Sequence, residues 1–154
     1  MRAVHALLLL MLLAWPPHAL AQQAQRIDDS ASQVLDGLVR MKWKEVRPGP
    51  GASNDLVGQT TVLVRLDMSP FQGRSGRIFM VLEKQSGPVR AAWTTRGALL
   101  PGEVRDGERA LVFAGAVASE RIEDTLVLTI TASTDVFSQP EKLVFHFEFE
   151  AGGA

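Results

Sequence analysis

The chain contains no cysteine and no tyrosine. Without thiolates there can be no disulfide, no Cys-ligated zinc and no iron–sulfur cluster, and no thiol to carry a bacterial lipid anchor. An excess of either charge is missing as well. The formal net charge is −1, so the electrostatic footprint of a nucleic-acid partner is absent. Beyond the first residues no stretch approaches the ~20 apolar residues of a membrane span. No long run of period 3.6 marks a helix. With 154 residues, 46% of them hydrophobic, the chain suits one domain with a full core and is too short for a multidomain enzyme. Such a domain must be held by packing alone.

What is present begins with a leader. Arg2 supplies a positive start, and Ala6 to Leu13 is apolar, with four consecutive leucines from Leu7 to Leu10. Pro16 and Pro17 then break any helix, and Ala19-Leu20-Ala21 offers the small residues of a cleavage site. The polar stretch Gln22-Gln23-Ala24-Gln25 follows at once. This order predicts a signal peptide over residues 1–21, cut after Ala21, and a soluble mature protein that is periplasmic or extracellular. Residues 22–37 read as a polar amino-terminal extension. It allows a brief helical turn near Ser30 to Asp36, capped by Asp29 or Ser30 and ended by Gly37.

From Leu38 the period changes to two. Val39, Met41 and Trp43 alternate with Arg40, Lys42 and Lys44, a half-buried strand that stops at Pro48-Gly49-Pro50-Gly51. Further runs follow, separated by Gly, Pro and Asp-Gly turns. They lie at Thr61–Met68, Ile78–Glu83, Val89–Thr95, Ala110–Val117, Thr125–Thr131 and Leu143–Glu150, with a short strand near Glu103–Val104. About seven strands with no crossover helix predict an all-β, antiparallel, two-sheet β-sandwich of immunoglobulin-like architecture. The one-sided patterning of the first and last strands favours facing sheets over a barrel. The likeness to immunoglobulin domains ends at architecture, because the cysteine pair and the tyrosine corner are both missing. The sandwich is expected over residues 38–150, with a flexible tail at 151–154. Trp43, Trp93 and the phenylalanines of the last strand are its expected anchors.

Catalytic chemistry has little to work with. Once the leader is gone, His146 is the remaining histidine, flanked by Phe145 and Phe147 on a strand face shared with Glu148 and Glu150. Gln72-Gly73-Arg74-Ser75-Gly76 lacks the spacing of a nucleophile elbow. Glu120, Glu123 and Asp124, with Asp135 farther on, lack the alternation of a calcium loop and read as solvated turn acids. Glu148 and Glu150 stand about 7 Å apart on one strand, a spacing that any i, i+2 acidic pair shares with a glycosidase site. Pro48-Gly49-Pro50-Gly51-Ala52-Ser53 has neither Walker spacing nor lysine. No enzyme activity, metal or cofactor is therefore expected.

Two features point to binding. Arg40, Lys42 and Lys44 share one face of the first strand and suit an acidic partner, or else pair across strands with Glu148 and Glu150. The loop Ser69–Arg77 sets Phe71 beside Arg74 and Arg77, which makes either a contact surface or an aromatic lid over the core. The expectation is an exported, non-enzymatic protein acting in binding or assembly in the cell envelope, with a protein or a polysaccharide as partner. A fibre subunit and a carbohydrate-binding module are the alternatives.

Overall fold

Period-two alternation becomes strand pairing along most of the chain. The computed structural model describes residues 23–44, 54–133 and 142–152. The expected leader, the Pro48–Gly51 break and the last two residues lie outside the described residues. Three two-residue strands come first: β1 (Gln25–Arg26), β2 (Gln33–Val34) and β3 (Lys42–Trp43). Seven longer ones follow: β4 (Asp55–Asp67), β5 (Ser75–Leu82), β6 (Val89–Thr94), β7 (Gly102–Arg105), β8 (Arg109–Ala116), β9 (Arg121–Ser133) and β10 (Phe145–Ala151). A 3-10 turn at Ser69–Phe71 links β4 to β5. No described helix is long and apolar enough to cross a membrane.

Every pairing is antiparallel, and the strands form two separate sheets. One has the order β1-β10-β5-β8; the other has β2-β4-β9-β6-β7, with β3 also on β4. The expected all-β, two-sheet architecture is therefore present. The longest ladder pairs β4 with β9 from Asp55↔Ser133 to Asp67↔Arg121. Its inward residues, Val64 and Leu66 with Leu126, Leu128 and Ile130, meet Ile78, Met80 and Leu82 of β5 and Phe147 and Phe149 of β10 in one buried cluster. Each large apolar side chain taken out of water there contributes roughly 1.5–3 kcal/mol. Trp93 is a core anchor as expected, and its indole N–H donates to the Leu100 carbonyl at 2.9 Å.

The chain repeatedly changes sheet. One switch is the turn after β7, where Glu108 N–H donates to the Arg105 carbonyl at 3.0 Å and Gly107 takes φ 72°. It delivers β8 to the opposite sheet. There the register shifts between Ile78 and Phe79, which pair with Phe113 and Leu111 and leave buried Val112 as the extra residue. Such a bulge twists an edge strand away from further pairing.

Several sequence expectations are corrected. The stretch read as a polar extension is part of both sheets. β1 pairs with β10, Ile27 is in the core, and β2 pairs with β4 in place of the helical turn. The apolar side chain of Ile27 gains more by plugging the open side of the two layers than a short, isolated helix could return. The expected first strand shrinks to β3. Val39 and Met41 do face inward, against Gly58, where an added Cβ would lie 2.5 Å from Val39 Cγ1. Trp43, however, is 56% exposed, because its partner Leu56 sits at the start of β4 and neither residue reaches the buried cluster. The tail is ordered at its start: Ala151 pairs with Gly76, and Gly152 N–H donates to the Ser75 carbonyl at 2.8 Å.

Candidate functional site

The two expected binding features do not come together. Phe71 is 4% exposed, and its ring packs on Phe149 at 4.5 Å between centroids. Pro70 starts the 3-10 turn that aims the ring inward, and Gly73 N–H then ties the loop to the Val117 carbonyl at 2.9 Å. Phe71 is thus the aromatic lid and not a displayed contact ring. Arg74 lies over both rings, 5.9 Å from Phe71 and 5.4 Å from Phe149. Arg77 points to the other side of β5, toward Glu150.

Arg40, Lys42 and Lys44 are exposed, as read, but their cross-strand pairing with Glu148 and Glu150 does not occur. β3 belongs to the sheet of β4, where Lys44 Nζ approaches Asp55 at 3.9 Å. Glu148 and Glu150 lie on the outer face of the other sheet and have other partners. Arg77 and Arg109 each come within 3.6 Å of Glu150 Oε2 while their guanidinium groups cover Phe79, at 5.6 and 4.3 Å. This is why β5 tolerates apolar side chains on both faces: arginine stems shield the outer one. His146 has carboxylates at both ring nitrogens, Glu83 at 3.5 Å from Nδ1 and Glu148 at 3.2 Å from Nε2. A neutral ring can donate to just one of them.

The turn acids divide. Asp124 is 8% exposed and accepts from the backbone N–H groups of Arg96, Leu99 and Thr125 at 3.1, 2.8 and 2.6 Å. It clamps the loop after β6 and is not solvated as expected, because β9 starts earlier than read and turns this side chain inward. Asp28 and Asp67 flank a polar groove and close their own turns: each accepts a backbone N–H two residues on, Ser30 at 2.9 Å and Ser69 at 3.0 Å. The Ser30 and Ser69 hydroxyls, and after them these backbone bonds, hold both carboxyls below their ordinary value. Among the described residues, no three His, Asp or Glu side chains are grouped to hold a metal ion.

One feature escaped the sequence. Beside β10 the two layers leave a cleft of about 250 Å³. Its walls are Val62 and Val64 of β4, Leu126 and Leu128 of β9, Met80 of β5, and Leu143, Phe145 and Phe147 at the β10 end. The rim carries one charge of each sign, Asp29 and Lys142, with Ser32 and Gln33. Exposed Val34 lies at the mouth, and Leu35 and Leu38, also exposed, follow it in the chain.

The cleft exists because the amino-terminal segment closes that side of the sandwich along part of its length. β1 lies on β10, Ile27 plugs the core, and at Asp28 the chain crosses to bridge Asp67 in the other sheet. Past that crossing no described residue fills the space between the layers. Its size exceeds the ~150 Å³ apolar cavity that holds a benzene ring. Alternation along the strands placed these wall residues inward, but no local pattern reveals that the layers leave a cleft at this end.

Compared with known protein families, curated proteins and solved structures, the chain matches none of them.

Proposed function

We propose that this chain is an exported, non-enzymatic binding module of the cell envelope, an immunoglobulin-like sandwich that takes an apolar group of its partner between its sheets. The export half of the reading rests on Arg2, the Leu7–Leu10 run and Ala19-Leu20-Ala21. The binding half rests on a single observation, the open apolar cleft between β10 and the β2–β4 edge. An apolar guest seated between these walls leaves water, and that burial is the driving force for occupancy. His146 is set between the carboxylates of Glu83 and Glu148, an arrangement that suits charge pairing on the outer face. Ligand sites are typically concave, apolar and fringed by a few polar groups, a description this cleft meets.

The test is a titration of the chain beginning at Gln22 with the uncharged fluorescent probe N-phenyl-1-naphthylamine. The expected result is a saturable one-to-one rise in emission, abolished by Val62→Phe, which fills the cleft from its half-buried wall while the fold is retained. Emission that never saturates, or that is unchanged in V62F, overturns the binding reading. Export has its own check: the protein expressed with its leader in a secreting host should begin at Gln22, and a cytosolic chain retaining Met1 overturns that half.

A further inference from the structure

We infer that the partner enters as an extended strand, adding to β10 beyond the point where β1 leaves it, with apolar side chains in the cleft and basic ones on the outer face. This rests on the proposed binding role of the cleft and names its occupant.

The backbone makes the first argument. β1 covers β10 only at Gln25↔Phe149 and Arg26↔Glu148, and Ile27 N–H then donates to the Phe147 carbonyl at 2.8 Å. Along an antiparallel strand, alternate residues turn their N–H and C=O groups to the same edge. Phe145 therefore presents its groups to the edge that Phe147 uses, while the Val144 carbonyl points the other way and accepts from Glu83 N–H at 3.0 Å. Among the described residues no strand covers β10 on that side beyond Ile27. The ladder that β1 begins is thus left unfinished beside the cleft, and extended backbone is what completes a ladder.

Side-chain direction makes the second. Phe145 lines the cleft, so a residue set opposite it turns its own side chain into the same space. Ile27, whose N–H bonds Phe147, already turns its side chain inward to the core one pair earlier.

Charge makes the third. On the outer face, the side chain next to Phe145 is His146, held between Glu83 and Glu148. β1 meets this acidic strip with a cation, Arg26 opposite Glu148. The next outward position of an added strand faces His146, with both carboxylates within reach of a long side chain, and so favours Lys or Arg. The partner is a protein segment in which apolar and basic residues alternate.

The experiment uses fluorescein-labelled eight-residue peptides of alternating valine and lysine, titrated by anisotropy into the chain beginning at Gln22, with N-phenyl-1-naphthylamine as competitor. The parent peptide should bind and displace the naphthyl probe. Methylating the valine amides, which face β10 in this geometry, should weaken binding about tenfold or more, whereas methylating the lysine amides, which face solvent, should not. Glutamate in place of lysine should also weaken it about tenfold. Equal binding of the two methylated peptides, or of the glutamate peptide and its parent, overturns strand addition even where the naphthyl probe still binds, and leaves a small apolar ligand as the occupant. Failure of the naphthyl probe itself overturns the cleft reading beneath it. Self-association of the chain that excludes both probes overturns the proposal in favour of a second copy.

Discussion

Asp124 shows how much one carboxylate can organise. It collects three backbone N–H groups from two segments, and an added Cβ at Gly97 would come within 3.0 Å of it. Charge-assisted hydrogen bonds contribute about 1.5–3 kcal/mol each, and orphaned buried donors add a penalty. Asp124→Ala is therefore expected to lower stability by about 2–4 kcal/mol, read as a lower midpoint in urea with an unchanged slope. An unmoved midpoint would show the clamp to be dispensable. Phe71 and Arg74, three residues apart, offer a contrast. Phe71→Ala removes a buried ring and should cost about 3–5 kcal/mol, while Arg74→Ala gives up exposed cation–π contacts of about 0.5–1 kcal/mol. The residue types in this loop were legible as a contact surface or a lid. Burial of the ring against Phe149, 78 positions farther on by number, decided for the lid, and nothing local to the loop encodes that partner.

Elements tell a similar story. The period-two runs located β5, β6, β8 and β10 closely, because alternation is imposed by the strand itself and needs no knowledge of what it packs against. β4 and β9 run longer than their alternation suggested, since each stabilises the other along the whole ladder from Asp55↔Ser133 to Asp67↔Arg121. The basic first strand fared worst, because a strand at the margin of β4 has no facing layer to bury Trp43. β7 is held partly by close approach: Gly102 lies opposite Trp93, and an added Cβ would fall 2.9 Å from the indole. Gly102→Ala should destabilise by about 1–3 kcal/mol through overpacking, with a matching change in Trp93 fluorescence. A neutral stability effect would mean that this edge strand simply shifts. By comparison, Glu150→Gln, which removes the charge shared by Arg77 and Arg109, should change stability by less than about 1 kcal/mol, and less still in high salt, because both arginines are about half exposed.

For the molecule as a whole, packing alone must hold two layers without a disulfide, and surface carboxylates tune that stability with pH. The Ser30 and Ser69 hydroxyls lower Asp28 and Asp67, and the Lys84 ammonium, 2.7 Å away, lowers Asp106. A folded value below the unfolded one means that the native state binds fewer protons, so this stability is complete above the unfolded value near pH 4 and is lost as pH falls through the folded values. Tm should decline below about pH 4, with part of that decline absent in Asp106→Asn. A Tm independent of pH in the acid range would contradict the assignment. The all-β class and the two-layer arrangement could be read before any coordinates, because alternation and turn chemistry act over a few residues. Sheet membership of each strand, the inward turn of Asp124, the exposure of Trp43 and the cleft beside β10 were settled only on folding. Each depends on which distant side chain, if any, stands across the gap, and that distance is a property of the packed layers, not of any stretch of chain.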